Sequence, residues 1–123
     1  RLLGETLLKI EIDPNSNIAW SIVTREMFEK NNAREEETEG IVDRMLSIKN
    51  IQVSVLFRET AEGKIKISFR SKDDFNVDHF SRAFGGGGHP NAAGCQLEGN
   101  RDDIVKTVIE KLQKCLMSDN TTY

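Results

Sequence analysis

From Lys64 to Arg70 the chain alternates without exception between polar and apolar side chains: Lys64-Ile65-Lys66-Ile67-Ser68-Phe69-Arg70. A period of two puts Ile65, Ile67 and Phe69 on one side of a strand and Lys64, Lys66, Ser68 and Arg70 on the other, and no helix of this size presents such a pattern to a single core. The preceding segment Gln52-Val53-Ser54-Val55-Leu56-Phe57 is also strand-like, and the short stretch Thr60-Ala61-Glu62-Gly63 joins the two as an antiparallel hairpin turn. Whatever else forms, a sheet with one greasy face has to be covered. For Lys64 and Lys66 a solvated face is sufficient explanation. Arg70 differs, because Ser71 and Lys72 continue its polar group at the strand end, where loops carry function.

The remaining elements follow from similar arguments. Leu8, Ile10 and Ile12 alternate with Lys9 and Glu11, Asp13-Pro14-Asn15-Ser16-Asn17 supplies turn chemistry, and Ile18-Ala19-Trp20-Ser21-Ile22-Val23 completes a first hairpin. Thr24 caps a short helix that ends near Asn31-Asn32. Glu35-Glu36-Glu37 and Glu39 open a second helix, near the positive end of its dipole, with Ile41, Val42, Met45 and Leu46 on one stripe. Gly40 inside it costs about 1 kcal/mol of helix stability relative to alanine. Asn76 caps a helix over residues 77–84, Phe75 staples onto Phe80, and Gly85 ends the helix in the left-handed conformation. Ala93-Gly94-Cys95-Gln96-Leu97 forms a last strand, and Asn100 caps a final helix carrying Ile104, Val105, Val108, Ile109, Leu112 and Leu116. Residues from Ser118 to Tyr123 are expected to fray. The sum is one α/β domain of α+β-like character: a mixed sheet of about five strands with helices packed against it.

The 123 residues suffice for one modest core. A net charge of −3 and 7% aromatic residues argue against holding long nucleic acid on a uniformly basic or stacking surface. A short phosphorylated ligand needs only a local patch. Cys95 and Cys115 are isolated, in neither a paired nor a secreted pattern, and Cys95 reads as a small buried hydrophobe. With only those thiols, His79 and His89, the chain offers no cluster for a structural metal. No apolar run reaches the ~20 residues of a membrane span and no signal-peptide pattern opens the sequence, so a cytoplasmic location is expected. The opening at Arg1 suggests a domain taken from a longer polypeptide.

The densest chemical signal is Gly85-Gly86-Gly87-Gly88-His89, followed by Pro90-Asn91-Ala92-Ala93-Gly94. Successive glycine N–H groups can turn inward as an anion-binding concavity, and a histidine beside it suggests phosphate. A flexible linker is the bland alternative. Ordered-looking sequence on both sides favours a structured loop.

Ser68-Phe69-Arg70-Ser71, the G-G-G-G-H run and Ala92-Ala93-Gly94 together resemble the C-terminal DHH-associated domain of the DHH phosphoesterases. The variant is most similar to the bacterial branch of bifunctional oligoribonucleases and 3′-phosphoadenosine-5′-phosphate phosphatases, and the resemblance covers nearly the whole chain. It implies a substrate-binding half over residues 1–123, parted from an N-terminal DHH domain that carries Mn2+ and performs the hydrolysis. Carried onto this sequence, it makes His89 and the backbone of Gly86, Gly87 and Gly88 contacts to substrate phosphate, with Arg70 and Ser71 assisting and His89 aiding catalysis. The implied partners are short RNA or nucleoside phosphates, the DHH domain of the same polypeptide and a second copy of the parent, without a membrane. Asp78-His79 is followed by Phe80 inside an amphipathic helix and lacks companion aspartates, so its likeness to the Asp-His-His triplet is a coincidence. Two other outcomes stay open: a synthetase-type RNA-binding or dimerisation module, and the equivalent domain of a cyclic dinucleotide phosphodiesterase.

Overall fold

The computed structural model describes residues 1–7 and 9–118. In chain order the elements are α1 (Leu2–Leu7), β1 (Glu11–Asp13), β2 (Ile18–Val23), α2 (Arg25–Lys30), α3 (Glu35–Leu46), β3 (Val53–Glu59), β4 (Ile65–Ser71), α4 (Val77–Arg82), β5 (Gly87–His89), β6 (Ala92–Leu97) and α5 (Arg101–Ser118). The strands form one sheet in the order β1-β2-β3-β4-β6-β5. Only β2 and β3 run parallel, and α2 with α3 makes the crossover between them. The mixed sheet therefore has six strands where about five were expected, and the addition is the second half of the glycine run. The alternation assigned to Leu8 and the tail at residues 119–123 lie outside the described residues.

Both faces of the sheet carry apolar clusters, which explains its position as a middle layer. On one face Val53, Val55 and Phe57 of β3 and Ile65, Ile67 and Phe69 of β4 pack with Val77 and Phe80 of α4 and with Ile104, Val108 and Leu112 of α5. The other face is smaller. There Val23 and Leu56 meet Leu2, Met27, Ile41, Val42 and Met45 from α1, α2 and α3. Trp20 is half-buried against the larger cluster. Burial pushes the Cys95 thiol up to about 11, as suits a side chain that serves as packing.

The caps sit where short polar side chains stand in the sequence. Thr24 accepts from Met27 N–H, Asn76 Oδ1 from His79 N–H and Asn100 Oδ1 from Asp103 N–H. Phe75 and Phe80 meet with ring centroids 6.4 Å apart, as the staple requires. Gly85, at φ 84°, ends the helix beginning at Val77, and the N–H of Gly86 then closes on Ser81 O at 3.0 Å. No described helix is long and apolar enough to cross a membrane.

Candidate anion-binding face

Register decides which predicted residues meet. Directly opposed residues of antiparallel neighbours share a face. Ser54 stands opposite Arg70, Arg70 opposite Ala92, and Ala92 opposite His89. These residues form one row across four strands, with Arg70 and His89 on the same face, about 10 Å apart by strand spacing. Between them lies only the methyl group of Ala92. The neighbouring row runs Leu56, Ser68, Gly94, Gly87, so between Arg70 and His89 the floor is made by the small residues Ser68, Ala92 and Gly94. On this face α3 packs over β3 and β4 and leaves β6 and β5 open, whereas α4 packs against β5 and β6 from the opposite face.

Arg70 is held rather than loose. Its Nε donates to Asp43 Oδ1 at 2.9 Å, one Nη to Glu39 Oε1 at 3.2 Å and the other to Phe69 O at 3.0 Å. A guanidinium has five N–H groups, so one on each Nη is left to receive an anion. The side chain is 14% exposed, and its two carboxylate partners are largely in solvent. Further along β4, Lys66 pairs with Glu35, and its β3 neighbour Arg58 stacks on the Phe28 ring at 4.9 Å. The α3 acids were expected only to mark a helix start. Their spacing held a further signal: Glu35 to Asp43 rises about 12 Å along a helix, and Lys66 to Arg70 about 13 Å along a strand.

The glycine run is not a loop nest. Gly87, Gly88 and His89 form the edge strand β5, paired with Gly94, Ala93 and Ala92 of β6. Its glycines are needed for close approach: a Cβ on Gly86 would sit 2.1 Å from Gly94 O and 2.6 Å from Cys95 Cβ. Nor are all the amides waiting for a ligand. Gly86 N–H is spent on Ser81 O, and Gly88 N–H donates to Asp78 Oδ1 at 2.8 Å. The anion seated on this backbone is the chain's own carboxylate. His89 itself is exposed at the end of β5.

Ser71 does not join Arg70. As the next residue on β4 it points to the opposite face, is 4% exposed, and donates through Oγ to Phe75 O at 2.7 Å while accepting from Asn91 Nδ2 at 3.0 Å. It is a tie between the β4–α4 connection and the β5–β6 turn, on the face of β4 away from Arg70. Arg70 and His89 remain together, over a floor of Ser68, Ala92 and Gly94.

Comparison with known proteins gives a consistent placement. Residues 15–114 match the family model described as the DHHA1 domain. Over 95 residues the chain is 34% identical to a membrane protein–large ribosomal subunit bL9 fusion protein of Onion yellows phytoplasma, covering 77% of this chain and 10% of that one. It is 30% identical over 115 residues to the bifunctional oligoribonuclease and PAP phosphatase NrnA of Thermus thermophilus, covering 93% and 34%. The chain thus spans a tenth to a third of these relatives. An exopolyphosphatase-related protein from Bacteroides fragilis superposes with a TM-score of 0.85 at 35% identity, over 95% of this chain and 35% of that one. A pGpG-specific phosphodiesterase from Vibrio cholerae has a TM-score of 0.62 at 13% identity, covering 97% and 38%. The C-Ala domain of Aquifex aeolicus alanyl-tRNA synthetase has the same TM-score at 15%, covering 80% and 89%. These last two show a shared fold alone.

Proposed function

This chain belongs to the DHHA1 domain family, the domains associated with DHH-family phosphoesterases, and on that premise we propose that it holds the substrate of such an enzyme by a phosphate lodged between Arg70 and His89. The observation that carries this reading is the cross-strand row, which sets a guanidinium under the edge of α3 and an exposed imidazole on one face with only Ala92 between them. The substrate class is a short RNA or a nucleoside phosphate, in line with the oligoribonuclease and phosphatase named among the relatives.

The chemistry asked of this face is modest. The remaining Nη N–H groups of Arg70 point a planar fork at two phosphate oxygens, an arrangement that a lysine point charge cannot copy. His89, when protonated, donates to a third oxygen and offsets charge that grows on the phosphoryl group. Cleavage belongs to a companion DHH domain on the same polypeptide, with Mn2+ as its ion. Among the described residues of this chain no three His, Cys, Asp or Glu side chains gather to hold a metal.

The test uses the polypeptide that carries both domains. His89→Ala is expected to lower turnover of a short RNA by about 100-fold, the scale of a lost donor to the reacting phosphate. Arg70→Lys is expected to raise KM while preserving the fold. Unchanged kinetics in both variants would remove this face from substrate binding. The 123-residue chain alone, supplied with Mn2+, is expected to bind adenosine 5′-monophosphate without hydrolysing any ester.

A further inference from the structure

A strand made of glycine has no side-chain pattern to fix its register, and a slip of one residue turns every position to the opposite face. For β5 this means that His89 would leave the row of Arg70 and point toward α4. The two-residue connection Pro90-Asn91 pairs His89 with Ala92, and the rest of the glycine strand needs a further hold. The structure supplies ties from the flank of the strand, all reaching to α4 or its first residue: Val77 N–H donates to Pro90 O at 2.8 Å, Gly86 N–H to Ser81 O at 3.0 Å, and Gly88 N–H to Asp78 Oδ1 at 2.8 Å. The first two are backbone bonds at the ends of the strand. Only the third is made by a side chain, and it grips the residue next to His89.

The carboxylate is itself fixed. Arg82 Nε lies 3.2 and 3.3 Å from its two oxygens, one helical turn away on α4, and the Asp78 side chain is 19% exposed. The Gly88 N–H, followed by Arg82 and the nearby His89, holds the Asp78 carboxyl below the usual aspartate range despite partial burial. Asp78 is therefore an ionised clamp with one jaw on the strand and the other on its own helix. Arg70 has other partners, Asp43, Glu39 and Phe69 O.

We propose that Asp78 is a positioning residue: by holding Gly88 N–H it locks β5 in the register that keeps His89 beside Arg70, and so sets the affinity of the face for a phosphate monoester. This rests on the phosphate-binding role proposed above. The same contact removes Gly88 N–H from the groups a substrate can use, which leaves the imidazole as the contact offered by this strand. The aspartate that imitates the start of a metal-binding triplet thus acts at the opposite end of the problem, on backbone geometry.

The experiment uses the 123-residue chain, uniformly labelled with 15N, and adenosine 5′-monophosphate as the probe. Asp78→Ala is expected to unprotect Gly88 N–H in hydrogen exchange, abolish the cross-strand contact between His89 and Ala92, and weaken the probe at least five-fold. Asp78→Asn keeps an oxygen acceptor and is expected to restore both the protection and an affinity within two-fold of the parent. A purely structural contact would alter exchange at Gly88 and leave probe affinity unchanged in Asp78→Ala, which would overturn the proposal. So would retention of the His89–Ala92 contact in that variant. If the parent chain fails to bind the probe, the phosphate-binding reading falls, while the exchange and contact measurements still decide whether Asp78 sets the register.

Discussion

Arg70 and Asp43 form a 2.9 Å ion pair across the gap between the sheet and α3, on the same face that His89 occupies. A substrate phosphate has to share the guanidinium with this carboxylate. Because Asp43 is 64% exposed, its attraction is screened by water and worth little, on the scale of 0.2–1 kcal/mol for a surface pair. Asp43→Asn is accordingly expected to tighten adenosine 5′-monophosphate about two- to five-fold, read by calorimetric titration. Weaker binding in this variant would show that the carboxylate orients the fork instead of competing for it.

Ser71 gives the opposite kind of outcome. Ser71→Ala removes the donor to Phe75 O and the acceptor of Asn91 Nδ2, at a cost of about 1–2 kcal/mol in chemical denaturation. Probe affinity should stay near that of the parent. A selective loss of affinity at unchanged stability would return Ser71 to the binding surface.

Two glycines separate entropy from crowding. Gly40 lies in α3, exposed, and a Cβ there would meet nothing within 4 Å. Gly40→Ala should stabilise the fold by about 1 kcal/mol through helix propensity. Gly86→Ala forces a methyl group onto Gly94 O and Cys95. It should destabilise by roughly 1–3 kcal/mol and push β5 off β6, visible as loss of amide protection at Gly87 and His89.

The clamp also has a pH signature. The Asp78 carboxyl is depressed below its ordinary value of 3.8, chiefly by the Gly88 N–H. A depressed carboxyl adds stability that is complete above the unfolded-state value and is lost as pH falls through the lower, folded-state value. Thermal midpoints of the parent should therefore fall as pH is lowered through and below the ordinary aspartate value of 3.8, and those of Asp78→Asn should fall less over the same range. Parallel curves for the two proteins would contradict an ionised clamp.

Much of this could be seen in the residues themselves, for physical reasons that also explain the failures. Lys64 to Arg70 alternates because one side of β4 is greased by Phe69 and its neighbours, so the strand was legible. Thr24, Asn76 and Asn100 cap because their short side chains reach a backbone N–H two or three residues on. The edge strand from Gly87 to His89 was missed because alternation is a property of side chains and glycine has none. Ser71 was grouped with Arg70 for being adjacent in sequence, although the same period of two that placed Phe69 on the core side also sends Ser71 there. The hold of Glu39 and Asp43 on Arg70 needed the packing angle of α3, which no local pattern contains. Asp78 was invisible as a strand clamp because its partner is a main-chain N–H ten residues away.

The uncovered half of the sheet carries Ser68, Ala92, Gly94, Gln96 and His89, with no large apolar side chain among them. Any body that settles there gains almost nothing from expelled water, so it has no adhesive reason to stay. A companion domain seated on this half of the sheet would have to be held by charge, such as that of the proposed phosphate ligand.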